Sequence, residues 1–366
     1  MTSRHWLRIS LSIVVSAAAL LQAIPARAGT PIVGAGSSAA HPVYKAWADQ
    51  YTKSGGTALN YDPAGSSAGL KRIRAREVDF GASDVAPSAA ELEKDDLVVF
   101  PTVITGAIPV YNVPKVRNGA LVLDSGTLAG IFSGAIGMWN DERIKALNPG
   151  LALPAQPIAV IVRADGSGTT YNFSEYLAKT NDAWKREMGV GISLKWPKSF
   201  IAVKGSKAVA EAVATTSGGI GYVDYNYVVD HALDAARMRL RDGSVVDGSP
   251  NSFRNALMQS AWGKNGDFTQ PLTDIHAKGA WPITMGTFVV MPKTAKNTEQ
   301  TAAALRFFVW AFNYGDDLAN RISFVRLPDA VQAKAFRAMS QIRDRNGVPL
   351  AAGEIAVRTP SMVAAR

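Results

Sequence analysis

Apolar residues recur along this chain with two alternating periods. Val43, Trp47 and Tyr51 fall at i, i+4 and i+8, predicting a helix from Pro42 to about Lys53 that stops at Gly55-Gly56. Leu305, Phe308, Val309 and Phe312 share one face of a helix over Thr298 to Tyr314. Val331, Ala335, Met339 and Ile342 mark a last helix from about Pro328. Shorter apolar runs predict strands: Ala58 to Tyr61, Glu77 to Asp84, Pro157 to Val162, Gly218 to Tyr222 and Thr287 to Met291. Leu97 to Val113 is apolar and β-branched, punctuated by Pro101, Gly106 and Pro109, and predicts buried strands crossing between lobes. Gly126 to Trp139 predicts helices of a second lobe, and the polar stretch Arg237 to Trp262 predicts loops. Strands and helices alternating in this way define an α/β protein of two lobes joined by at least two crossings.

The turns between these elements are chemically alike. Arg163-Ala164-Asp165-Gly166-Ser167-Gly168-Thr169-Thr170 links the strand ending at Val162 to a helix over Tyr171 to Lys179. Such a turn aims backbone N–H groups at one spot with the positive end of a helix dipole behind them. Ser167, Thr169 and Thr170 add hydroxyls, and Arg163 offers a planar fork suited to an oxyanion. Gly36-Ser37-Ser38-Ala39-Ala40 and Gly65-Ser66-Ser67-Ala68-Gly69 repeat the construction, and a fourth strand ends in Asp84. Ser88-Ala89-Ala90-Glu91 is a capping box for the next helix. No lysine follows the glycines as in a Walker A loop, which disfavours a nucleotide triphosphatase.

Composition narrows the classes. The chain has 366 residues, 47% of them hydrophobic and 19% charged, which is globular and long enough for two ordinary domains. It has no cysteine, so disulfides, thiol nucleophiles and thiolate metal sites are excluded. Arg4, His5 and Arg8, the apolar run Ile9 to Ile24 and Ala26-Arg27-Ala28 fit a secretory leader cleaved before Gly29. Removing its three arginines takes the formal charge from +9 to +6. No block of five basic residues occurs, so nucleic acid is not an expected partner. No His/Asp/Glu cluster has metal-ligand spacing, and no cofactor is implied.

Several runs, in order, resemble the periplasmic phosphate-binding proteins of bacterial high-affinity phosphate ABC transporters. They are Gly34-Ala35-Gly36, Pro42-Val43-Tyr44, Asp79-Phe80-Gly81-Ala82-Ser83-Asp84, Phe100-Pro101-Thr102-Val103-Ile104, Leu147-Asn148-Pro149-Gly150-Leu151, Ala164-Asp165-Gly166-Ser167-Gly168-Thr169, Gly221-Tyr222-Val223, Ala280-Trp281-Pro282-Ile283-Thr284 and Leu327-Pro328-Asp329. The resemblance implies a two-lobed type II periplasmic binding fold: lobe 1 from residues 29–103 and 284–366, lobe 2 from 104–283, hinged near Thr102–Gly106 and Pro282–Gly286. It implies a monomer in the periplasm that holds one phosphate and hands it to a membrane permease and its ATPase. It also implies the ligand set Ser38, Ala39, Ser66, Asp84, Arg163, Ser167, Gly168 and Thr169, with Asp165 bracing Arg163. Where the family usually reads Gly-Ala-Gly-Ala-Thr-Phe-Pro, this chain has Gly36-Ser37-Ser38-Ala39-Ala40, so Ala39 offers only its N–H and no covering ring.

On that reading Asp84 is the selective element. A carboxylate facing an anion is tolerable only with a proton between them, which phosphate carries near neutral pH and sulfate does not. Each residue also has a plainer reading: Ser38 and Ser66 as helix N-caps, Asp84 as a solvated strand end, Arg163 as a surface ion-pair partner. Two other functions compete. Gly65-Ser66-Ser67-Ala68-Gly69 satisfies G-x-S-x-G, which would make Ser67 an esterase nucleophile if His41, His231 or His276 came near it. A secreted relative with a drifted oxyanion site and no transporter is the other.

Overall fold

The structure is a computed structural model that describes residues 30–350. The expected leader, residues 1–28, and residues 351–366 of the last expected segment lie outside the described residues.

Two parallel sets of strands flank an antiparallel pair. Ile32–Gly36 pairs in parallel with Leu59–Asp62 and with Phe80–Ser83. Ala159–Arg163 pairs in parallel with Ile201–Val203 and Gly219–Asp224. Between them, the first part of the 16-residue strand Leu97–Asn112 runs antiparallel to Thr284–Pro292, and its last six residues run antiparallel to Gly219–Asp224. One nine-stranded sheet results. The run expected to form several strands is therefore a single one, buried along almost its whole length. Its pairing with Thr284–Pro292 shifts register between Thr287 and Phe288, a bulge beside Pro101, which has no N–H to contribute to a ladder. The two expected hinge segments, Thr102–Gly106 and Pro282–Gly286, meet in this ladder, where Gly106 faces Thr284 and Ile104 faces Gly286.

Helices follow the carboxyl ends of the parallel strands: His41–Lys53, Ser66–Arg74, Gly168–Thr180, Gly205–Thr215 and Tyr225–Asp230. In open α/β sheets this is the edge where ligands bind. The first helix buries the expected stripe, Val43, Trp47 and Tyr51, and adds Tyr44. Tyr44 and Tyr51 meet Phe308 and Phe307 of the Thr298–Tyr314 helix at ring-centroid distances of 5.9 and 5.5 Å, and Trp47 Nε1 donates to Gly315 O at 2.9 Å. On the other side of the sheet junction, Phe173 stacks on Tyr222 at 4.4 Å.

Phe308 is fully buried among Tyr44, Phe80, Phe100 and Phe307. Truncation there removes one large side chain and leaves a cavity. Phe308→Ala is expected to cost about 3–5 kcal/mol in urea-induced unfolding, with the anion site described below unaffected.

Two stretches differ from expectation. Gly126 to Trp139 holds one helix, Ser125–Ser133, closed by Gly134 in the left-handed region, and then a bridge from Met138 to Pro157. Arg237 to Trp262 is not mainly loop. It contains the helix Pro250–Gln259, started by a capping box of Ser249 and Ser252 with proline in its first turn. Its polar composition reflects an outward face, while Phe253, Ala256 and Leu257 point inward. Among the described residues no helix is long and apolar enough to cross a membrane, and no group of three His, Asp or Glu could hold a metal ion.

Candidate anion-binding site

The strand ends converge on one buried polar cluster. Gly36 lets the first turn leave its strand: its φ is +140°, and a Cβ there would lie 1.9 Å from Ala82 O. The turn therefore lies directly against the strand that ends at Asp84. Ser37 Oγ donates to Asp84 Oδ1 at 2.6 Å, and Thr287 Oγ1 from the central antiparallel pair donates to the same oxygen at 2.6 Å. Asp84 Oδ2 has only the long contact from Ser66 Oγ, at 3.4 Å. Asp84 is 4% exposed, so the plainer reading as a solvated strand end does not hold. Burial pushes its carboxyl up to about 6, with the nearby Asp224 adding to the rise and Ser37, Thr287 and Arg163 opposing it.

Ser66 and Ser38 are not helix caps. The caps are Gly65 and Ala40, neither with a side-chain cap bond. Ser66 Oγ instead accepts the N–H of Asp84 at 3.2 Å and that of Gly168 at 3.1 Å. Ser38 Oγ meets Ser206 Oγ at 3.0 Å and accepts the Ser206 N–H at 3.2 Å. Ala39 is fully buried beside them. In place of the ring it lacks, two phenols hold this turn: Tyr61 donates to Ser37 O at 2.8 Å and Tyr227 to Ser38 O at 2.9 Å.

Arg163 is also 4% exposed, which removes the surface ion-pair reading. Its Nε donates to Asp165 Oδ1 at 2.7 Å, its Nη2 to Asp165 Oδ2, and its Nη1 to Ser206 Oγ at 3.1 Å. Asp165 is thus the expected brace, and it accepts the Gly205 N–H at 3.0 Å as well. Burial works to raise the Asp165 pKa, but the guanidinium fork and that N–H overcome it and hold the carboxyl below its ordinary value.

The Ser167–Thr170 turn is less open than its sequence suggests. Ser167 Oγ accepts the Thr170 N–H at 3.1 Å as the N-cap of its helix, and the Ser167 N–H donates to Ile192 O at 2.8 Å. Thr170 Oγ1 pairs with the Tyr222 hydroxyl at 2.7 Å, inside the aromatic core, so its expected hydroxyl does not join the cluster. Thr169 Oγ1 lies 3.0 Å from Asp224 Oδ1.

Ser38, Ala39, Ser66, Asp84, Arg163, Asp165, Ser167, Gly168 and Thr169 thus lie in or against one buried cluster, and Thr170 does not; the Arg163 charge opposes the rise in the Asp84 pKa across it. Four further members were not expected: Ser37, Ser206, Asp224 and Thr287. Two of them carried a readable signal. Gly205-Ser206 follows the Ile201–Val203 strand and opens a helix, as Gly65-Ser66 does after Leu59–Asp62. Asp224 ends a strand just ahead of a helix, as Asp84 follows Phe80–Ser83. Ser37 and Thr287 join through tertiary contacts alone.

Ser67 has no base. His41 stacks on Tyr61, His231 on Tyr227, and His276 faces Asp274 at 3.5 Å. The Ser67 N–H donates to Gly166 O at 3.0 Å, and its hydroxyl packs against Gly166, where a Cβ would lie 2.1 Å away. A hydrolase triad is not assembled among the described residues.

Residues 22–313 match the family described as PBP superfamily domain, which sets the class of protein this sheet and cluster belong to. The chain is 39% identical over 297 residues to the phosphate-binding protein PstS of Xylella fastidiosa (strain Temecula1), covering 81% of each chain. It is 39% identical over 308 residues to the phosphate-binding protein PstS of Haemophilus influenzae, covering 84% of this chain and 92% of that one. The chain belongs to the family of these phosphate-binding proteins. The same fold is seen in a high-affinity periplasmic phosphate-binding protein bound with phosphate, with a TM-score of 0.65 at 22% identity over 85% of this chain and 94% of that one. A phosphate-binding protein from Stenotrophomonas maltophilia has a TM-score of 0.63 at 24% identity, over 85% and 94%.

Proposed function

We propose that this protein captures inorganic phosphate between two hinged lobes in the periplasm and delivers it to the permease and ATPase of an ABC transporter. It acts as a monomer, after removal of residues 1–28. Lobe 1 comprises residues 29–103 and 284–366, and lobe 2 residues 104–283. Hydrogen bonds then run from one lobe to the other around the cluster: Ser38 with Ser206, Gly168 to Ser66, Asn172 Nδ2 to Asp84 O at 2.9 Å, and Tyr227 to Ser38 O. Closing the lobes brings these partners together and removes water from the anion.

The ligand set is Ser38, Ala39, Ser66, Asp84, Arg163, Ser167, Gly168 and Thr169, with Asp165 as brace and Ser206 as an added neighbour. A buried multiply charged anion needs its lost water replaced, and each hydrogen bond to a charged group is worth about 1.5–3 kcal/mol. Hydroxyls, helix N-terminal amides and one guanidinium supply the donors. The carrying observation is Asp84 itself, a buried carboxylate coupled to Arg163 whose Oδ2 lacks any short donor. That oxygen suits the P–OH of a protonated phosphate, and arsenate shares the same proton and shape. Titration calorimetry of residues 29–366 with phosphate and with arsenate is expected to give a one-site isotherm for each. No heat from either anion would overturn the proposal.

A further inference from the structure

Asp224 is a second buried carboxylate in this cluster, and its surroundings suit an acid better than an anion. It ends the Gly219–Asp224 strand and occupies the N-cap position of the helix Tyr225–Asp230, where an aspartate ordinarily accepts a helix N–H. Here the side chain makes no cap bond. It is fully buried and turned toward Thr169, whose Oγ1 lies 3.0 Å from Oδ1. Its Oδ2 is buried with no partner at hydrogen-bond geometry: the Ser206 hydroxyl, near enough to oppose the rise in its pKa, lies against Ser38 Oγ and Arg163 Nη1 instead. Arg163 makes no hydrogen bond to Asp224; its Nε and Nη2 bind Asp165 and its Nη1 binds Ser206.

The charged and titratable groups that face Asp224 come from every element packed on it. They are Arg163 on the neighbouring strand, itself held by Asp165, Asp84 across the cluster, and Tyr227 three positions on. Three carboxyls therefore share one guanidinium. A carboxylate oxygen left bare in such a place loses its water without compensation, whereas the carbonyl oxygen of a neutral acid loses much less. Burial raises the Asp224 pKa against the opposing influence of Ser206, Arg163 and Thr169.

The proton also decides which way Thr169 points. An ionised Asp224 can only accept, so it takes the Thr169 hydroxyl proton, and that hydroxyl has none left for an anion. A protonated Asp224 donates from Oδ1 to Thr169 Oγ1, and the Thr169 O–H is released to face the cleft. We propose that Asp224 is held as a neutral acid at neutral pH, its proton drawn from solvent, and that it serves as the positioning residue that makes Thr169 an anion donor. This rests on reading the cluster as the phosphate site.

Infrared difference spectra test the first half. Subtracting the Asp224→Asn spectrum from the wild-type one at neutral pH is expected to show a protonated-carboxyl C=O band that shifts in deuterated water. The same band should survive in Asp84→Asn, which separates the two acids. Absence of a protonated band lost with Asp224 overturns the proposal.

Phosphate titration from neutral to alkaline pH tests the second half. Asp224→Asn can donate to Thr169 at every pH. The affinity of wild type relative to Asp224→Asn should therefore fall as pH rises, a ratio that cancels the ionisation of phosphate itself. Asp224→Leu and Thr169→Val should each weaken binding by about 10-fold throughout. A ratio that does not change with pH, or one that rises, overturns the coupling. If wild type bound no phosphate at all, the phosphate reading would fall while the infrared result still reported on Asp224.

Discussion

Arg163→Met is expected to weaken phosphate binding by roughly 30- to 4,000-fold, the effect of removing one partner from a buried, hydrogen-bonded charge pair at about 2–5 kcal/mol. Among the described residues Arg163 is the only cation inside the cluster, and its fork is held by Asp165. Its loss leaves Asp165 and Asp84 without a counter-charge. Methionine keeps most of the volume, so the cleft should still close in shape. Competition with radiolabelled phosphate at equilibrium measures the loss directly. An affinity within a factor of about three of wild type would take Arg163 out of the binding site.

Asp84→Asn carries the second large effect, and it acts on choice of anion more than on affinity. A site built around one hydrogen rejects an analogue lacking it by about 10⁴–10⁵. In wild type above the Asp84 value of about 6, the carboxylate accepts from a protonated phosphate and repels fully ionised sulfate. An asparagine amide donates instead, and sulfate then becomes a ligand. The preference for phosphate over sulfate should fall by at least about 100-fold in titrations near pH 8. Wild type should drift the same way on acidification, because Asp84 itself becomes a donor as pH drops through about 6.

The same substitution reports on stability. Asp84 has a folded pKa raised to about 6 from its ordinary 3.8. The folded protein therefore holds this proton more tightly than the unfolded chain does. The stabilisation from that proton is complete below about pH 4 and disappears as pH rises through about 6. Above that pH an ionised, buried Asp84 destabilises the ligand-free protein, on the order of 2–3 kcal/mol. Asp84→Asn should then raise the ligand-free melting temperature near pH 8 and leave it nearly unchanged near pH 4. Selectivity for a protonated anion and stability of the empty cleft thus oppose each other at one residue.

Much of this was readable in the chain because it depends on local chemistry. The aromatic stripe of His41–Lys53, the turns at Gly36 and Gly65 and the strand leading to Asp84 are written in short-range patterns. Ser38, Ser66, Asp84 and Arg163 follow from those turns, and the resemblance to phosphate-binding proteins raised them above their plainer readings. What escaped was direction. Nothing near Thr170 says that its hydroxyl meets Tyr222, 52 positions away, nor does the region of Thr169 say that it meets Asp224. Gly205-Ser206 repeats the Gly65-Ser66 turn, but behind a strand of three residues too short to show a period, and Thr287 reaches Asp84 across 203 positions. The Pro250–Gln259 helix escaped because its composition is polar and its capping box pairs two serines rather than a serine and a glutamate.

The most direct measurement is calorimetric titration of residues 29–366 with phosphate near pH 8, once in chloride and once in a large excess of sulfate. One phosphate should bind with the same affinity in both, since sulfate lacks the proton that Asp84 requires. Loss of the phosphate isotherm in sulfate, or its absence in chloride, would contradict a cleft built to hold a protonated tetrahedral anion between Asp84 and Arg163.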